Sequence, residues 1–205
     1  MDLVNNKEGR PLAHYRELYA QMDPSEVSAR THCVCAAGGL EIPIFGHTLT
    51  AAVPDFKLTG DSGCPAALLA APCEILILRW LINGRAAPFG GKFLSYREIP
   101  WGNVYDANFN GRCRLRLSGT FGRDLDSFSR AARRLCGYPA PGGDSAFDLP
   151  LPGGNTLRLI IYSGDEEFSP AAQILFSDNI TAAWSAEDLA VLGEVAIRAL
   201  SEKRN

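Results

Sequence analysis

Three carboxylates, Asp165, Glu166 and Glu167, stand side by side in the stretch Tyr-Ser-Gly-Asp-Glu-Glu-Phe-Ser-Pro, between two apolar runs that read as strands. Packing beside a buried sheet does not require adjacent acids, so they invite a chemical explanation. Oxygen ligands of this kind could hold a hard cation, but adjacent residues rarely converge on one ion and no EF-hand spacing is present. General acid–base work would need one carboxylate of raised pKa and a partner. A second polar segment carries Lys92, Ser95, Arg97 and Glu98 close together. Its two cations and one carboxylate could bind an anionic or polar ligand, or pair with the three acids and pin two loops together. We read Lys92, Ser95, Arg97, Glu98, Asp165, Glu166, Glu167 and Phe168 as one candidate surface for a small polar ligand or a protein partner. The alternative is a small enzyme, with Glu166 or Glu167 as general base and Lys92 or Arg97 as electrostatic stabiliser.

Cysteine chemistry gives a third reading. Of six cysteines, Cys33 and Cys35 form the tightest pair. On a strand, residues i and i+2 point to one face, so both thiols would share one environment. Metal centres and iron–sulfur clusters usually announce themselves by CxxC pairs or a run of close cysteines, and neither occurs. Buried core thiols are the simpler expectation, with a metal or redox role for Cys33 and Cys35 as the alternative. The histidines lack HExxH spacing. Gly60-Asp61-Ser62-Gly63 matches the letters around a chymotrypsin-like nucleophile, but that fold needs two β-barrels and a histidine far upstream, and His32 lies too near. Gly90-Gly91-Lys92 lacks the remaining letters of a phosphate loop, and no GxGxxG exists. No cofactor is expected.

The elements that must position these residues are legible in places. Leu12, Tyr15, Leu18, Tyr19 and Met22 recur at helical spacing over 11–22. Asp23-Pro24 predicts a fresh N-cap and a short helix ending near Thr31. The period then changes, and 32–53 reads as a small antiparallel meander, followed by a loop over 54–66. Pro72 opens a central helix with Cys73, Leu76, Ile77, Trp80 and Leu81 in its core stripe, closed by Asn83-Gly84. Asp124 caps a helix that turns Leu125, Phe128, Ala132 and Leu135 inward, with Arg130, Arg133 and Arg134 on a solvated face. The Pro/Gly-rich segment 139–154 reads as a loop or a weak subdomain boundary within one domain spanning 1–205. Strands follow near 157–162 and 171–176, then a helix capped by Ser185 and Asp188. Helices and strands intermix without strict alternation, which predicts an α+β fold of mainly antiparallel sheet packed with amphipathic helices.

The bulk properties narrow the partners. Hydrophobic content of 46% and charged content of 21% are ordinary for a globular chain of 205 residues. A net charge of −3 gives no electrostatic case for nucleic acid or an anionic membrane. The longest apolar run, Ile75–Ile82, contains Arg79 and is too short to span a bilayer. The first residues contain no apolar leader region, so the cytoplasm is the expected compartment.

Four stretches, in order, carry a resemblance. They are Ile75–Ile82, then Gly91-Lys92-Phe93-Leu94-Ser95-Tyr96-Arg97-Glu98, then Gly143-Asp144 with Leu149-Pro150, then Gly164-Asp165-Glu166-Glu167-Phe168 with Ile174-Leu175-Phe176. The chain resembles the DUF3786 family, a domain of unknown function from anaerobic bacteria and archaea. The resemblance implies no known chemistry. Some relatives are described as iron–sulfur proteins because a separate cysteine-rich segment, similar to that of corrinoid proteins of one-carbon metabolism, precedes the domain. It therefore implies an accessory role beside such proteins. The chain starts directly with the domain, so no cluster of its own is expected.

Overall fold

The structure, a computed structural model, describes residues 9–202. The reading of the first residues as free of a leader falls outside them. The chain opens with α1 (Gly9–Tyr19) and α2 (Pro24–Thr31). Asp23 caps α2 by accepting from Ser25 N–H at 2.8 Å, as its sequence predicts. A meander follows: β1 (Val34–Ala36), β2 (Gly39–Ile44), β3 (His47–Ala51) and β4 (Leu58–Gly60), an antiparallel sheet in that order. The segment 54–66, read as a loop, thus contains β4. Three residues are too few to show an alternating pattern.

The central helix α3 (Ala71–Asn83) buries Cys73, Leu76, Ile77, Trp80 and Leu81 as the stripe requires. Strand β5 (Phe93–Ser95) leads through a 3₁₀ turn (Tyr96–Glu98) into α4 (Gly102–Phe109), a π-helical turn (Asn110–Arg114) and α5 (Leu115–Phe121). Then come α6 (Leu125–Arg134), β6 (Tyr138–Pro139), β7 (Ser145–Pro150), β8 (Thr156–Tyr162), β9 (Ala171–Ser177) and α7 (Ala186–Ser201). The second sheet has the order β5-β9-β8-β7-β6 and is antiparallel throughout. The architecture is α+β, as expected. Rather than a plain loop, the segment 139–154 holds β7, whose Phe147 and Leu149 enter the core.

Leu157, Leu159 and Ile161 alternate along β8 and are buried, with less than a tenth of their surface exposed. The two sheets touch where the β2–β3 turn meets the end of β7, with Phe45 N–H donating to Pro150 O at 2.8 Å. Helices α3 and α7 pack against one another, and Trp80 lies 6.1 Å from Trp184 between ring centroids. Helix α7 starts on the capping box read in the sequence: Ser185 Oγ donates to Asp188 Oδ2 at 2.7 Å, and Asp188 Oδ2 also accepts from Ser185 N–H at 3.0 Å. Among the described residues, no helix is long and apolar enough to cross a membrane.

Candidate functional site

The fold holds the two polar segments apart. Ser95 pairs with Leu175 on β9, whereas the acidic turn begins beyond Ala171 at the end of the same strand. The intervening four residues of β9 span roughly 13 Å. After Ser95 the chain turns away into α4, and Arg97 pairs with Asp106 at 3.3 Å. Glu98 accepts from Ser95 N–H at 2.7 Å and from Ser95 Oγ at 2.8 Å, which makes a capping box for the 3₁₀ turn. These two donors hold its carboxyl below the usual range. Lys92 is anchored by its backbone, its N–H donating to Asp178 Oδ2 at 3.2 Å.

The acidic turn closes on itself. Asp165 Oδ1 accepts from Phe168 N–H at 2.6 Å and from Glu167 N–H at 2.9 Å, and these donors depress its pKa. Glu166 and Glu167 are exposed and form no ion pair among the described residues, and Phe168 is 69% exposed. Among the described residues no ion pair joins the two segments, and none of the eight residues lines the recesses described below. The expectation of one shared recess is corrected accordingly. Strand register decides the separation, and Arg97 finds its carboxylate on α4.

Cys33 and Cys35 do not share an environment either. Cys33 precedes β1, after His32 in the left-handed conformation that ends α2, and it is buried. Burial pushes its thiol up to about 11. Cys35 is exposed. The expected inert core thiols are Cys33, Cys73 and Cys113.

A different set of side chains does converge. Three helices each turn one stripe toward a cleft of about 470 Å³. Its apolar floor comes from Tyr15 of α1, Ile75 and Leu76 of α3, and Val191 of α7. Helical spacing explains why: Pro72, Ile75, Leu76 and Arg79 recur at i, i+3, i+4 and i+7, and Glu187, Val191, Glu194 and Arg198 at i, i+4, i+7 and i+11. The rim is charged. Arg79 binds Asp188 at 3.0 Å and reaches Glu187 at 3.6 Å, with its guanidinium 5.8 Å from the Tyr15 ring. Arg112, from the π-helical turn, makes a two-bond fork on Glu194, with both distances 2.9 Å. That fork holds the Glu194 carboxyl below its ordinary range, helped by the charges of Arg112, Arg198 and Arg116. Arg198 lines the same cleft and has no ion-pair partner among the described residues.

Beyond Arg79 and Glu187 the cleft continues into a recess of about 390 Å³, lined in part by Trp101, which immediately precedes α4, and by Tyr105 of α4. Trp101 is 77% exposed and sits at φ 68°, a left-handed conformation uncommon for a bulky side chain. Sequence reading missed this cleft because its walls come from elements far apart in the chain. One signal was present: Arg79 interrupts the longest apolar run, and a charge inside a buried helix face needs a partner or an opening.

The described residues that could hold a metal together are His47, Asp61 and Cys64, away from the cleft. As a bare nucleophile Cys64 is poorly suited, because burial and the charges of Asp61 and Glu202 push its thiol up to about 11.

A family model described as a domain of unknown function (DUF3786) matches residues 23–199. No curated protein and no solved structure matches the chain.

Proposed function

The chain belongs to the DUF3786 family, and from its cleft we propose that it is a binding domain for a small amphipathic ligand with an anionic group. The observation that carries the reading is Arg198, a guanidinium without a carboxylate partner among the described residues, set on the rim of an apolar-floored cleft. Pockets for small molecules combine apolar walls with a few placed polar groups, and an uncommitted arginine is suited to a carboxylate or phosphate. Binding is favoured over catalysis by the lining. It holds no serine, cysteine or histidine, and Asp188 and Glu194 are engaged by Arg79 and Arg112. Glu166, Glu167 and Phe168 stand apart as candidate contacts for a protein partner. The setting we propose for it is that of a cytoplasmic accessory to iron–sulfur or corrinoid proteins.

A thermal-shift screen of aromatic carboxylates, short fatty acids and nucleotides tests the reading. A true ligand at about a hundredfold its Kd adds roughly 2.7 kcal/mol and raises Tm by several degrees. The rise is expected to shrink strongly in Arg198→Ala, whose own Tm stays near that of the parent. Ligands that stabilise the parent and Arg198→Ala equally would place binding elsewhere.

A further inference from the structure

We propose that His47, Asp61 and Cys64 form a binding site for a borderline-soft divalent cation of the zinc class. The three residues come from one corner of the first sheet. His47 opens β3, Asp61 follows β4, and Leu49 pairs with Gly60, so the register sets Thr48 and Asp61 side by side. Asp61 N–H donates to Thr48 O at 3.2 Å, and Thr48 N–H donates to Asp61 Oδ2 at 2.9 Å. The other carboxylate oxygen meets His47 Nδ1 at 2.7 Å. Cys64 is brought back by a tight turn, its N–H donating to Asp61 O at 3.2 Å. Its sulfur packs over Gly60, where a Cβ would lie 2.6 Å from Sγ, so only glycine leaves room for the thiol. One ligand atom from each of the three then lies within 4.8 Å of the others. The backbone has arranged this corner in advance.

The donor set identifies the ion. A thiol, an imidazole and a carboxylate together exclude the all-oxygen preference of magnesium and calcium and suit zinc or cobalt(II). Three protein ligands leave a fourth position for water or another group. The site borders a recess of about 240 Å³, lined by His47, Cys64, Arg134 and Glu202, into which that position can open. Charge agrees on balance. Asp61 is an anion at the site, and Glu202 is fixed nearby by the N–H groups of Ala66 at 2.8 Å and Ala67 at 2.7 Å. Arg134, the opposing cation, is held back by the carbonyls of Leu200 and Glu202, each at 3.1 Å.

Cobalt(II) titration of the reduced full chain reads the site directly. Binding through Cys64 gives a thiolate-to-cobalt charge-transfer band and strong visible bands of a tetrahedral ion, both erased by added zinc. Cys64→Ser is expected to remove the charge-transfer band with an unchanged circular dichroism spectrum, and His47→Ala, which deletes a ligand, to weaken binding by more than the roughly 10- to 100-fold that loss of an outer-shell partner costs. Cys35→Ser and Cys136→Ser, which alter the two exposed thiols, are expected to keep the signal. Arg198→Ala keeps it too, which separates this site from the cleft. Absence of any charge-transfer band, or a band that survives in Cys64→Ser, overturns the proposal.

Discussion

Glu194 and Arg112 show what a single pair does in this chain. Both are partly shielded, and the fork between them is the strongest ion-pair geometry on the cleft. Because the folded-state pKa of Glu194 is depressed, the pair contributes stability above the unfolded carboxylate pKa of about 4.3 and loses it as pH falls through the folded value. Glu194→Gln should therefore cost about 1 kcal/mol in urea unfolding at pH 7, and the gap to the parent should narrow at an acid pH below the unfolded carboxylate value. An equal cost at both pH values would show that the loss is one of packing, not charge. Residue-scale signals were legible wherever they are local. Asp23, Asp124 and the Ser185–Asp188 box each cap the helix that their neighbours start. The same logic applies at Ser95-Tyr96-Arg97-Glu98, a capping-box spacing, but the same polar residues also fit a ligand surface, and sequence alone does not choose between the two. The partner of Arg97 was beyond reach, since Asp106 is supplied only after α4 folds back.

At the scale of elements, the strands and helices with a clean period were readable and 99–121 was not. That segment carries Trp101, Val104, Tyr105 and Leu115 on its exposed side, so apolar residues face both solvent and core and blur the amphipathic pattern. The π-helical turn at Asn110–Arg114 then shifts the phase of the helix in mid-course. What fixes the start of α4 is a close approach. A Cβ at Gly102 would lie 1.8 Å from Tyr96 O, in the turn whose Tyr96 ring stacks on Phe109 at 3.9 Å. Tyr96 Oη also donates to Ala186 O at 2.8 Å, tying this turn to α7 and hence to the cleft. Gly102→Ala should destabilise by about 3 kcal/mol or more, since backbone has to move on both sides. Gly111→Ala, where a Cβ meets nothing within 4 Å, is the matched control and should be neutral or slightly stabilising. Similar urea midpoints for the two variants would refute the close approach.

Across the whole molecule, the question left by the sequence is the Pro/Gly-rich stretch 139–154. A weak subdomain boundary there would divide the hydrophobic contacts into two groups. Most buried apolar residues belong to one cluster that runs from Tyr19 through both sheets to Leu200. Leu81 of α3, Leu149 of β7 and Leu192 of α7 all belong to it, and each is fully buried. No short-range pattern could reveal this, because the sheet order β5-β9-β8-β7-β6 joins the earliest of its strands to the last. A shared core predicts shared fate. Thermal unfolding followed by tryptophan fluorescence, whose change comes from buried Trp80 and Trp184 because Trp101 is already exposed, should coincide with far-ultraviolet circular dichroism, which reports on all elements. Leu81→Ala removes a large apolar group from the centre and should cost about 2–5 kcal/mol. It should move both probes together, although no residue of either sheet has changed. Two separated transitions, with Leu81→Ala shifting one and sparing the other, would favour a boundary within 139–154.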